Sequence, residues 1–269
     1  MTGPLLFPSI DPIAFQIGPF AVRWYALAYI AGLIAGWVYI LWLLRRAPKV
    51  MTREQVGDFL TWAILGVILG GRLGYIIFYH PDYYVFHVQE IFYVWEGGMS
   101  FHGGFLGLTG AVILYCRKKQ LSFWSVADLI AAAVPIGLFL GRLANFVNGE
   151  LYGRTTNLPW GMVFPTGGPA PRHPSQLYEA GLEGLALFIL LFIAIRFFNA
   201  RTHPGLTAGL FLTGYGAARM FVELFREPDA HLGFLFGSIT MGQLLSLPLV
   251  LAGIWFMTSS RRRPLTVVS

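Results

Sequence analysis

Four short stretches of this chain carry residues whose types and spacing could do chemistry. GGMSFHGG (97–104) sets His102 among glycines, and GRLANFVNGELYGR (141–154) carries Arg142, Asn145, Glu150 and Gly153. RHPSQLYEA (172–180) follows, and GYGAARMFVELFREPD (214–229) brings Arg219, Glu223 and Arg226 at i, i+4 and i+7. Arg142 and Asn145 are three apart, as are Asn145 and Asn148, so on a helix they share a face. A guanidinium binds two oxygens at once through a planar fork and stays charged, so converging arginines suit a phosphate or a phosphodiester. His102, with an ordinary imidazole pKa near 6.5, can accept a proton at working pH.

The elements that must position these groups are apolar. The chain is 56% hydrophobic and 12% charged, with a mean hydropathy of +0.62. A membrane-spanning helix needs about 20 mostly apolar residues. Seven stretches qualify, at roughly 18–44, 57–79, 99–116, 124–146, 176–198, 205–225 and 236–257. The third is short and glycine-rich. Residues 1–17 lack the basic region of a cleavable signal peptide. The expected fold is an all-α integral membrane protein, one polytopic domain over 1–269 with seven transmembrane helices.

Charge distribution orients it. Arg45, Arg46, Lys49 and Arg53 fall in the first connection, and Arg117, Lys118 and Lys119 in the third. Arg196 and Arg201 fall in the fifth, and Arg261, Arg262 and Arg263 in the tail. The alternate connections hold only Arg154, Arg172 and Arg226. By the positive-inside rule the N-terminus lies outside and the C-terminus in the cytoplasm. The net charge of +6 is thus a topology signal and not a nucleic-acid patch. The tyrosine-rich stretch 81–98, without Lys or Arg, reads as an outer interfacial arm, and 147–175 as an outer-face loop region, or head.

Arg23, Arg72, Arg142 and Arg219 remain, all within or at the edge of apolar segments. An arginine near the bilayer centre costs about 2.5–3.5 kcal/mol on insertion scales, so such residues mark functional sites by default. In this topology all four, with His102 and the start of helix 5 (Gln176, Tyr178, Glu179, Glu183), lie toward the outer leaflet. Arg23, beside Trp24, suits snorkelling to headgroups. Arg72 suits a structural tie as well as a site. On the inner side Asp58 and Asp128 read as helix-start residues. Cys116 is the only cysteine, no Cys-rich metal site exists, and no HExxH, GxSxG or GxxxxGK[ST] occurs. A lipid transporter or flippase is the rival class, but it would need polar groups near the midplane and a path to both faces.

Together, GGMSFHGG, GRLANFVNGELYGR, RHPSQLYEA and GYGAARMFVELFREPD resemble the prolipoprotein diacylglyceryl transferase family, in order along nearly the whole chain. Only seven residues lie between Phe164 and Arg172, where some relatives carry a longer outer-face insert. The resemblance implies transfer of the diacylglyceryl group of phosphatidylglycerol to the lipobox cysteine thiol of a prolipoprotein signal peptide. It implies a bacterial inner-membrane location among membrane lipids, and no metal, cofactor or nucleic acid. On the family pattern His102 is the base that activates the substrate thiol, and Arg142 and Arg219 are the essential arginines. Tyr25, Asn145, Glu150, Gly153, Glu223 and Arg226 match positions that bind or align substrate.

Overall fold

A computed structural model describes residues 5–8, 10–227, 235 and 239–268. Helices dominate: α1 (Trp24–Leu43), α2 (Arg53–Tyr79), the short α3 (Pro81–Phe86), α4 (Phe101–Lys119) and α5 (Phe123–Val147). They continue with α6 (Ser175–Glu179), α7 (Leu187–Phe197), α8 (Leu206–Val222) and α9 (Met241–Ser260). A wide π-helical turn, Ala180–Ala186, joins α6 and α7 into one rod, Ser175–Phe197. Among the described residues, five helices are long and apolar enough to cross a membrane: α1, α2, α5, the Ser175–Phe197 rod and α9. The third expected stretch forms α4, which ends in Arg117, Lys118 and Lys119, and the sixth forms α8, of 17 residues. The chain is a mostly helical, multi-pass membrane protein. Exposed Leu33, Ile34 and Val38 on α1 and Leu251, Ile254 and Trp255 on α9 are the lipid-facing surface such a protein requires.

The sequence pattern missed small β elements. β1 (Leu5–Leu6) pairs in parallel with β4 (Met162–Val163), and β2 (Ile13–Ile17) pairs antiparallel with β3 (Phe20–Arg23). Gly18, at φ +57°, and Pro19 make the β2–β3 turn, so the first helix begins at Trp24 rather than near residue 18. Arg23 thereby belongs to a strand, opposite Ile13. The expected start of the last span, 236–238, lies outside the described residues.

The chain divides into two compact units, 41–127 with 265–269, and 1–40 with 128–264. In the first, α2 and α4 meet along glycines spaced four apart. A Cβ on Gly70 would stand 2.6 Å from Gly107 Cα, and one on Gly74 2.7 Å from Gly103 Cα. Small residues at this spacing let two backbones touch where no water drives association. The Tyr115 hydroxyl closes the seam at its other end, donating to Gln55 O at 2.7 Å. Thr52 starts α2 with a capping box completed by Gln55. Asp58, also expected at a helix start, pairs with Lys119 at 2.9 Å. Beyond α2 the stretch 81–98 forms α3 and two short 3₁₀ turns, with Phe86, Phe92 and Trp95 strongly exposed.

In the second unit, α8 packs closely on α9, and the Ser175–Phe197 rod approaches α5 at Gly184. A Cβ on Gly184 would sit 2.7 Å from Phe139 Cα, three residues before Arg142. Asp128 does not serve the start of its own helix. It lies in the second turn of α5 and accepts backbone N–H bonds at the start of α8.

Gly70→Val is expected to lower thermal stability in detergent by about 1–3 kcal/mol through overpacking against α4. Gly110→Ala, where nothing lies within 4 Å of an added Cβ, should leave the melting temperature close to wild type. Equal melting temperatures for the two variants would contradict the packed seam.

Candidate functional site

Three arginines and three glutamates converge in the unit 1–40 with 128–264. Arg142, near the end of α5, reaches Glu179 Oε2 at 3.0 Å through Nη1 and Glu183 Oε2 at 3.4 Å through Nη2. Arg219 of α8 reaches Glu179 Oε1 at 2.5 Å and Glu183 Oε1 at 3.7 Å through Nη1, and Glu223 Oε1 at 2.7 Å through Nη2. Arg226 reaches the same Glu223 oxygen at 3.3 Å. Three positive and three negative charges cancel, which is the condition for holding them in an apolar interior.

Exposure is unequal. Glu179 and Glu183 are wholly buried, whereas the Arg142, Arg219 and Arg226 side chains keep 18%, 13% and 14% of their surface. The carboxylates therefore hold the guanidiniums from the buried side. A guanidinium has five N–H donors. Among the described residues, Arg142 contacts two carboxylate oxygens and Arg219 three, which leaves guanidinium donors for an anion approaching from the more exposed side. Glu183 Oε1, buried, has no hydrogen-bond donor among the described residues.

Local structure explains the convergence. Glu179 and Glu183 stand four apart where the rod widens into its π-helical turn, a rare form often found at functional sites. Gly184, beside Glu183, lets α5 approach closely enough to bring Arg142 onto both carboxylates. Glu223, just past α8, accepts a 2.7 Å bond from the Thr240 hydroxyl, and Thr240 also caps α9. A Cβ on Gly242 would lie 2.5 Å from the Glu223 carboxylate, so only glycine leaves it room.

Asn145 and Glu150 form a second, adjoining group. Asn145 Nδ2 donates to Glu150 Oε1 at 2.9 Å and Asn148 Nδ2 to the same oxygen at 3.2 Å. Gln176 Nε2 holds the Glu150 carbonyl at 2.5 Å, tying this loop to the rod. Tyr25 of α1 shares a 3.0 Å hydroxyl contact with Tyr29 and lies within electrostatic reach of Glu150 and Arg142. Gly153 N–H donates to His173 O at 2.8 Å, and a Cβ there would strike Phe225 O and His173. Gly153 thus lets three strands of loop pass close together.

The chain matches the family model described as prolipoprotein diacylglyceryl transferase over residues 12–259. It belongs to that family. It is 58% identical to the phosphatidylglycerol–prolipoprotein diacylglyceryl transferase of Paramagnetospirillum magneticum, over 98% of each chain. Relatives of the same name from Rhodospirillum rubrum and Azospirillum brasilense are 57% and 54% identical. The alignments cover 98% of this chain in both cases, and 97% and 99% of the relatives.

The expected site residues of a family member divide between the two units. Arg142, Arg219, Glu223 and Arg226 meet in the charge network, with Tyr25, Asn145, Glu150 and Gly153 in the same unit. His102 lies in the first turn of α4, exposed, in the unit 41–127 with 265–269. Glu179 and Glu183 were noticed only as polar residues opening the fifth helix, and Thr240 not at all. The signal for the glutamates was available: two acids four apart inside an apolar span call for neutralisation, and the arginines of other apolar segments were candidate partners.

Three further arginines bond chiefly to backbone carbonyls. Arg72, 5% exposed, donates to Ile91 O at 2.9 Å, Gly97 O at 2.7 Å and Glu90 O, and lies 5.2 Å over the Tyr84 ring. It clamps the 81–98 stretch onto α2. Arg154 Nε donates to Arg226 O at 2.8 Å and Nη2 to Glu223 O at 3.1 Å. Arg172 donates to Gly167 O and Gly153 O, and pairs with Glu227 at 3.0 Å.

His173 is 8% exposed, bonded through Nδ1 to Tyr178 Oη at 3.1 Å and packed on Phe225. Burial, and then the Arg154 charge, hold its pKa below the ordinary 6.5. A depressed native pKa means that the unfolded state binds the extra proton. Stability is therefore expected to fall as pH drops below about 6.5, and to be flat above it with respect to this group. His173→Gln should remove that part of the slope in thermal unfolding followed between pH 5 and 8. A second expectation concerns Glu179. Glu179→Ala leaves Arg142 and Arg219 without their shared partner and should destabilise by about 3–5 kcal/mol, measured by thermal unfolding in detergent.

Proposed function

We propose that this chain transfers the diacylglyceryl group of phosphatidylglycerol to the lipobox cysteine of a prolipoprotein. The observation that carries the reading is the Arg142–Arg219 pair: two guanidiniums held from behind by buried Glu179 and Glu183, with their open edges available to an anion. The names of relatives at 54–58% identity, which cover nearly the whole chain, support it independently.

The chemistry follows from the bond that changes. The substrate thiolate attacks the glycerol carbon that bears the phosphate ester; the C–S bond forms, the C–O bond breaks, and glycerol phosphate leaves. A free thiol has a pKa of about 8.5 and is mostly protonated at neutral pH, so a base must take its proton. His102 is assigned that role. Negative charge grows on the departing phosphate, and fixed donors aimed at such charge are usually the largest catalytic contribution. Arg142 and Arg219 are assigned to it. Because their positions are set by carboxylates already in place, little reorganisation is needed when the charge develops.

Asn145 and Glu150 are assigned to the glycerol headgroup, with Tyr25 on a lipid hydroxyl. Gly153 allows the close passage of loops that walls this region. Glu223 orients Arg219 and Arg226. No metal or cofactor enters the proposed step.

The proposal extends to topology: seven spans, with α4 and α8 joining the five long apolar helices, in a single polytopic domain of the bacterial inner membrane. The N-terminus faces the periplasm and the C-terminus the cytoplasm, as the basic connections require. The stretch 81–98 is then an outer interfacial arm and 147–175 an outer-face head. The site opens to the outer leaflet, where lipid and signal peptide both reach it.

The test is direct. Purified protein in phosphatidylglycerol vesicles should convert a lipobox peptide to its thioether-linked diacylglyceryl form, seen as a mass gain. Unchanged peptide with folded protein would sink the reading. Arg219→Lys, which keeps the charge but loses the fork, should lower kcat/KM by at least about 10²-fold. His102→Gln should be partly rescued by a peptide whose thiol has a lowered pKa, and no rescue would remove the base assignment.

A further inference from the structure

The charge network fixes one end of α5 and α8, and a separate polar contact fixes the other. Asp128 of α5 is 2% exposed. Its Oδ2 accepts the Gly205 N–H at 2.7 Å and its Oδ1 the Ala208 N–H at 2.8 Å. These amides open α8. The first N–H groups of a helix have no partner within it and are usually taken by the side chain just before it. Here that residue is Gly205, at φ +92°, which has no side chain to offer. A carboxylate 77 residues away in sequence does the work instead, and its negative charge suits the helix N-terminus. Arg201, 6% exposed, and Arg263 lie within electrostatic reach of Asp128, and Arg263 Nη1 donates to Pro204 O at 3.2 Å.

The two helices are thus joined at both ends, by Asp128 to Gly205 and Ala208 at one, and through Glu179, which pairs with both Arg142 and Arg219, at the other. They run parallel. From Asp128 to Arg142 is fourteen residues, and from Gly205 to Arg219 is also fourteen. At 1.5 Å of rise per residue each lever is about 21 Å long. Equal levers from a common pin bring the two guanidiniums to the same height.

We propose that Asp128 is a positioning residue for the proposed reaction: by capping α8 from α5 it sets Arg219 level with Arg142, and so sets the spacing of the fork that takes the lipid phosphate. The inference rests on the phosphate-binding role given to that pair under the proposed function. A slip of α8 by one residue would displace Arg219 by about 1.5 Å. Misplacement of that size at a reacting group can lower rates by roughly 10²-fold.

The experiment compares wild type, Asp128→Asn and Asp128→Ala in phosphatidylglycerol vesicles with a lipobox peptide. KM for the lipid and kcat are expressed per folded molecule, counted by size exclusion. Asp128→Ala is expected to raise KM about tenfold and to lower kcat as well. Asp128→Asn keeps one acceptor oxygen of two and should raise KM about threefold. A merely structural carboxylate would reduce yield or melting temperature and leave both constants per folded molecule unchanged. That result in either variant overturns the proposal, and where Asp128→Ala yields no folded protein Asp128→Asn is read alone. An inactive wild type would instead overturn the proposed function. Lipid retention then decides the present point. By native mass spectrometry the Asp128 variants should carry less bound phosphatidylglycerol than wild type, and equal occupancy overturns the positioning role.

Discussion

An arginine in an apolar slab must be neutralised, and the second unit of this protein is arranged around that constraint. Arg142, Arg219 and Arg226 come from two helical segments, α5 and α8 with its trailing turn, and Glu179 and Glu183 from a third. None of these groups could stay charged in place alone. Taken together they are neutral, and each removal exposes the charge of whatever it paired with. Buried ion pairs of this kind add little net stability compared with a hydrophobic core, because the desolvation of both partners offsets their attraction. Their presence therefore needs another reason, and the proposed phosphate-binding role supplies one.

The backbone has been bent to meet this demand. A regular α-helix would place Glu179 and Glu183 one turn apart on one face; the π-helical turn at Ala180–Ala186 widens the rod where they stand. Gly184 then lets Phe139 of α5 come into contact, and Gly242 leaves space for the Glu223 carboxylate at the start of α9. Each of these three features sits against or beside one of the acids. Elsewhere, in the unit containing α2 and α4, the glycines serve a different purpose, a close seam between two backbones.

Much of this was legible in the sequence, and the reasons it was not all legible are physical. Apolar runs located every long helix, since a span must satisfy its own backbone. The i, i+4, i+7 spacing of Arg219, Glu223 and Arg226 set them along one stripe, and Glu223 pairs with both arginines. The start of α1 was misjudged because Gly18–Pro19 lies inside an apolar run and still turns the chain into a hairpin. Asp128 was misjudged because side-chain capping is normally local, and nothing in the sequence tells which helix a carboxylate will cap across 77 residues. Glu179 and Glu183 were visible as acids, but their hydrogen-bonded partners Arg219 and Arg142 lay 40 and 41 residues away on other helices.

Arg72 makes the last distinction. By burial and by its place in an apolar helix it looks like Arg142, and insertion cost alone does not separate them. What separates them is the acceptor. Arg72, Arg154 and most of Arg172 end on backbone carbonyls, which belong to the chain and cannot be exchanged without unfolding a loop. Arg142 and Arg219 end on carboxylates, which hold them by charge and leave donors over. A phosphate oxyanion offers the same kind of acceptor as a carboxylate and can share the fork with it, whereas it could take Arg72 only by releasing the 81–98 stretch. The chemistry of a buried arginine is thus read less from its depth than from whether its partner could be replaced by a ligand.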